Sequence, residues 1–180
     1  MNPAHLHIIL NHIPVIGVPF GAALLIYGLL RKSEEVKRAS FVAFLVIALL
    51  TIPTFLAGQA AEEMVEHLPG FSEQMIENHE GAALIALIAT LALGAISLAI
   101  LLLPPRFSSA GRLMVLTLLI FSLAVGGWLA RTANLGGKIR HTELRGDAPA
   151  ATDEDGEEED DEDKGEKGRG RGRGRGGRDR

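Results

Sequence analysis

The chain contains no cysteine, which excludes disulfides, thiolate zinc sites, iron–sulfur clusters and covalently attached haem together. No nucleophile motif, phosphate-binding loop or paired-carboxylate motif is present, so the sequence carries no enzyme signature and points to an electron-transfer or binding protein. Residues 146–180 contain no Leu, Ile, Val or aromatic residue. Such a segment cannot bury apolar surface, and disorder is expected for it, first an acidic block (Asp153 to Asp163) and then an Arg-Gly-rich repeat (Gly168 to Arg180). The net charge of −4 therefore sums local excesses of opposite sign and identifies no partner. Arg-Gly segments bind single-stranded nucleic acid, but a tail on the outer side of a membrane would meet little of it.

Charge is also missing from four long apolar runs, at about 6–30, 41–61, 81–103 and 113–130, the last belonging to a span taken to about 133. Each reaches or approaches the roughly 20 residues that cross a bilayer as a helix. The reading is an all-α polytopic membrane protein: residues 1–145 form a four-helix up-down transmembrane bundle in contact with lipid. No Lys or Arg precedes the first run, whereas Arg31, Lys32, Lys37 and Arg38 follow it. The loop bearing Glu62, Glu63, Glu66, Glu73 and Glu77 has no Lys or Arg. By the positive-inside bias both termini lie on the extracytoplasmic side of a cell membrane, the bacterial inner membrane if the host is bacterial. Lack of a charge deep within the spans argues against a proton-driven transporter.

Asn2-Pro3 is a cap-and-first-turn pair, and Pro14 and Pro19 are expected to kink the first helix. The second helix is expected to run to His67, with Pro53 bending it, and Ser72 to cap the third. The fourth continues to about His141. This topology puts all six histidines, His5, His7, His12, His67, His79 and His141, at or beyond the outer surface.

Faces narrow the choice. His5 and His12 share one face of the first helix, with His7 almost opposite. On the third helix His79, Ala83, Ala86, Thr90, Gly94 and Ser97 form a small or polar stripe that should face the interior. Gly126, Gly127, Ala130, Asn134, Gly137 and His141 fall within about 100° of arc on the fourth. Each glycine lowers helix stability by roughly 1 kcal/mol against alanine, so the stripe needs a reason, either close helix packing or a bulky guest. Thr51, Thr54, Gly58 and Gln59 mark the second helix. Intramembrane polar residues such as Gln59 and Asn134 usually face the interior.

His12, His79 and His141 are thus expected at similar depth on inward faces. Three readings stay open. Two facing imidazoles would hold a b-type haem for electron transfer, with His12 and His79 the preferred axial pair, His141 next and His7 after that. Gly127 and Gly137 would make room for the ring, and Asn134, Arg131 and Lys138 would bond the propionates. Alternatively His12, His79 and His141 with Glu63 or Glu66 would suit zinc or copper. In the third reading the cluster holds no cofactor, and the chain is a structural subunit of a larger membrane complex. A redox protein, a larger membrane complex and a second copy of the chain are the partners considered.

The segment His7-Ile8-Ile9-Leu10-Asn11-His12-Ile13-Pro14, the four spans and the closing Gly136-Gly137-Lys138-Ile139-Arg140-His141 resemble a family of small bacterial membrane proteins, domain of unknown function 2231. Its members typically open with His-Pro, place a second histidine five residues after the first, then x-Pro, and end with a glycine-bearing helix and a histidine. His7, His12, Pro14, His79 and His141 match this pattern, while Ile8 stands where the family usually has proline. The resemblance covers about residues 4–145. It implies a bacterial, multi-pass inner-membrane protein, and its members' association with redox domains leans toward electron transfer.

Overall fold

A computed structural model describes residues 2–65, 72–103 and 108–141. Five helices fill them: α1 (Pro3–Leu10), α2 (His12–Leu30), α3 (Glu34–Val65), α4 (Glu73–Leu102) and α5 (Ser108–Arg140). Helices α1 and α2 together form the first span. Four helices are long and apolar enough to cross a membrane. The expected acidic and Arg-Gly tail, Glu66 and His67 lie outside the described residues.

Local chemistry accounts for the ends. The Asn2 side chain accepts the Ala4 N–H at 2.9 Å, with Pro3 in the first turn of α1. After α2 the chain turns through Lys32 at φ 52°. Lys32 N–H donates to the Leu29 carbonyl and Ser33 N–H to that of Gly28, the paired bonds that close a helix through a left-handed residue. Ser72 is extended and begins α4, but its backbone carbonyl rather than its hydroxyl takes the first turn's N–H groups.

Asn11 joins α1 to α2 with helical dihedrals, φ −62° and ψ −24°, and its N–H donates to the His7 carbonyl at 2.9 Å, so the interruption in the first span's hydrogen-bond ladder comes from Pro14. Proline lacks the N–H that would bond the carbonyl one turn back, here that of Leu10, and its ring crowds that carbonyl. The Thr54 hydroxyl of α3 points toward the Leu10 carbonyl at 3.4 Å and donates more closely to Leu50 of its own helix at 2.8 Å. Thr54→Val removes both bonds, and the expected loss is about 0.5–1.5 kcal/mol. Reversible unfolding in mixed detergent micelles measures it.

Packing runs round a ring: α3 on α2 and α4, and α5 on α4 and α2, with α1 lying on α3. This leaves the first span diagonal to α4. The interior is made of small and hydroxyl residues interleaved with a few large ones. Gly21 lets the Phe44 ring lie where a side chain would start, with Cε1 2.6 Å from the position of a Cβ. Thr51, Thr90 and Ser97 donate to carbonyls four residues back on their own helices. Every buried side-chain polar atom among the described residues has a partner. Large apolar residues point outward, including Ile16, Phe20, Leu30, Ile120 and Leu123, all more than half exposed. An apolar exterior over a small-residue interior is how helices pack when lipid surrounds them.

Candidate functional site

Two histidines meet across the bundle near the end where α1 begins. His7 of α1 and His79 of α4, on diagonal spans, have ring centroids 6.3 Å apart and planes at 80°. Both are half-buried.

Each ring is held by the helix beside it. His7 Nδ1–H donates to the Thr54 carbonyl at 3.1 Å, and His79 Nδ1–H donates to the Thr132 carbonyl at 3.1 Å. A carbonyl can only accept, so Nδ1 carries the proton, and in the neutral ring Nε2 keeps its lone pair. This is the arrangement in which an imidazole is oriented and made a better metal ligand. Four residues after each threonine, on the same face, stands a glycine. A Cβ on Gly58 would lie 3.0 Å from His7 Cε1, and one on Gly136 would lie 2.9 Å from His79 Cε1. These two glycines make room for the imidazoles themselves.

His12 does not face His79. It is exposed, and its Nδ1–H donates to the Ile8 carbonyl of its own chain segment at 2.8 Å. The shared face of His5 and His12 is present, but it is the outward face, since both are exposed. His7 lies seven residues before the buried Pro14 and so falls on the core side.

On α5 the inward arc is Val125, Leu129 and Thr132, continuing to Gly136, because the larger side chains take the core. Gly127 and Asn134 are consequently turned outward and exposed, and a Cβ on Gly127 would meet no described atom within 4 Å. Gly137 is half-buried, and His141 is exposed just past the end of α5. Gln59 is exposed as well. Arg131 stacks on Trp128, its guanidinium carbon 4.7 Å from the ring, and Trp128 donates to the Ala82 carbonyl. No group of three or more His, Cys, Asp or Glu side chains disposed to hold a metal occurs among the described residues. The set His12, His79 and His141 with a glutamate is therefore not assembled.

Beside the His79 turn, Glu62, Glu73, Ile76, Glu77 and Glu80 line an open cleft of about 300 Å³. Its carboxylates give this end of the bundle a negative rim.

From the sequence, Thr132 has no assigned role, and Gly136 is named only within the closing Gly136-Gly137-Lys138-Ile139-Arg140-His141 motif. A signal for them exists: Thr54 and Gly58 on the second span, and Thr132 and Gly136 on the fourth, are the same pair at the same spacing. Comparison of the chain with protein-family models, curated proteins and solved structures finds no match.

Proposed function

We propose that His7 and His79 are the axial ligands of a b-type haem, and that the chain is a membrane electron-transfer protein. The observation carrying this reading is the pair itself: two imidazoles from diagonal helices, each with Nδ1 committed to a carbonyl. Two imidazoles bound on opposite sides of one metal, at about 2 Å per bond, place their ring centroids roughly 6 Å apart. The observed 6.3 Å is compatible with that distance. Two donors also suit a porphyrin, which supplies the remaining four nitrogens, better than a bare zinc ion, which takes four ligands from elsewhere. The haem would supply one-electron chemistry. The Thr54 and Thr132 carbonyls each hold one ring's proton on Nδ1 and so leave its Nε2 lone pair for a metal. Gly127, first considered as making room for the haem ring, is exposed, and the glycines that lie against the two imidazoles are Gly58 and Gly136.

A single copper or zinc ion between the same two rings is the second reading. It is favoured by one observation: the imidazole edges already fill the space over Gly58 and Gly136, which suits a small guest. The distribution of Lys and Arg supports an extracytoplasmic position for this end of the bundle, with both termini on that side of a bacterial inner membrane. A redox protein on that side would then be the natural partner.

The test is a visible spectrum of the detergent-purified protein, oxidised and then reduced with dithionite, from cells supplied with haem precursor. The expected result is a Soret band with sharp α and β bands on reduction. A folded, colourless protein that contains copper or zinc supports the second reading, and one with neither overturns both.

A further inference from the structure

The two histidine cradles are alike in more than composition. Thr54 Oγ1 points to the Leu10 carbonyl at 3.4 Å, and Thr132 Oγ1 points to the Ala82 carbonyl at 3.4 Å. The same hydroxyls donate one turn back along their own helices, to Leu50 at 2.8 Å and to Trp128 at 3.0 Å. Leu10 follows His7 by the interval at which Ala82 follows His79. Leu50 precedes Thr54 by the interval at which Trp128 precedes Thr132. Each of these hydrogen bonds at one ring has a counterpart at the other; the Trp128 indole bond to the Ala82 carbonyl has none, because Leu50 stands in the matching position.

The correspondence extends through the bundle. The residue shift that carries His7 to His79 carries Pro14 to Ala86, Gly21 to Leu93 and Leu25 to Ser97, all buried. The shift that carries Thr54 to Thr132 carries Ser40 to Leu118, Phe44 to Ser122 and Thr51 to Leu129, again all buried. Any two amphipathic helices can be slid until their inner faces agree. Here the shifts are fixed beforehand by the site residues, and most buried positions of one half fall on buried positions of the other, while Gly28, Phe41, Ala48 and Ala57 fall on the half-buried Ile100, Leu119, Gly126 and Leu135.

Side-chain volumes follow the same rule with a twist. Gly21 packs on Phe44 in the first half, and the matching positions in the second hold Leu93 and Ser122. Leu25 and Ser40 are matched by Ser97 and Leu118. Each matched pair keeps one larger and one smaller residue while exchanging which helix carries which, the kind of compensation a close-packed interior tolerates.

We propose that the chain is a tandem duplication of one helix hairpin, α1–α3 and α4–α5, with His7 and His79 astride the two-fold axis that relates the copies. Each half contains two spans, so both halves run in the same direction and the axis lies along the bundle. Thr54 with Gly58, and Thr132 with Gly136, are equivalent positioning residues that set the tautomer and place of one imidazole each. The site is incomplete in either half alone. On the ligand reading above, on which only this last step rests, it takes one metal centre bound equally from both halves.

The test uses the full-length protein in detergent, labelled with ¹⁵N-histidine, without added ligand and at a pH where the rings are neutral. Loss of one set of ring signals in His7→Ala and of another in His79→Ala assigns them. Both rings are expected to show a protonated Nδ1 and a pyridine-like Nε2. Gly58→Ala is expected to shift the His7 signals and spare those of His79, and Gly136→Ala the reverse. Opposite tautomers for the two rings in the wild-type protein would overturn the equivalence even if neither glycine variant folds. So would glycine variants that both perturb one ring. Because no haem is involved, a colourless protein leaves this result standing, and the two readings fail separately.

Discussion

Alanine in place of His7 or of His79 is expected to abolish low-spin haem binding, while His12→Ala leaves it intact. The two ring centroids lie 6.3 Å apart with each Nδ1–H bonded to a carbonyl of another helix, so loss of either would remove one of the two nitrogens proposed to hold the haem. Disturbing a group that merely orients a ligand typically costs 10–100-fold in metal affinity, and losing the ligand should exceed that. His12 is exposed and bonded to its own segment, and its removal should shift affinity less than about twofold, well within 1 kcal/mol. Titration at the Soret band reads all three variants, with circular dichroism to show that each is folded. Free imidazole is expected to restore part of the low-spin spectrum in His7→Ala and His79→Ala. Dependence on His12 together with indifference to His7 would reinstate the pair first expected from the sequence.

The second large effect is on the bundle itself. At Gly94 an added Cβ would fall on the Ala48 side chain, with the α3 backbone behind it. Neither neighbour is the end of a flexible chain, so α3 and α4 must separate. Gly21→Ala instead sets its new methyl 2.6 Å from an atom of the Phe44 ring, which is fully buried. Overpacking of this kind costs about 1–3 kcal/mol for one added group. Gly94→Leu should exceed that range, since close approach of small residues is a main attraction between helices in lipid. The expected outcome is a marked loss of folded protein in detergent for Gly94→Leu and an intermediate loss for Gly94→Ala. Gly127→Ala, which meets open space, should be neutral or slightly stabilising. Wild-type stability in Gly94→Leu would contradict the packing described between α3 and α4.

How much of this was legible beforehand differs from helix to helix. Four apolar runs, free of charge and about as long as a bilayer is thick, specify four spanning helices almost regardless of detail. The inward stripe of α4 was equally legible, because Ala86, Thr90, Gly94 and Ser97 are small or polar where lipid would demand neither. On the first span the relative phase of the histidines was right and its sign was wrong. His5 and His12 do share a face, but His7 aligns with Pro14, Gly21 and Gly28, each seven residues on, and those are buried. The small-residue logic that located His79 would have located His7 had it been applied there. On α5 the same logic misled. Its glycines and Asn134 formed a conspicuous stripe, yet Val125, Leu129 and Thr132 fill the core. Small residues at a helix surface permit close packing without requiring it. The proposed duplication was hidden for another reason: Gly21 and Phe44 answer to Leu93 and Ser122, and Leu25 and Ser40 to Ser97 and Leu118, so large and small residues change places where the halves match.

Titration of the purified, ligand-free protein with ferric haem tests the central claim most directly. Saturation at one haem per chain with a low-spin spectrum, lost in the His7→Ala/His79→Ala double variant, is the predicted result. A titration that never saturates, or that saturates alike in the wild type and the double variant, would contradict the assignment of these two imidazoles as a haem site.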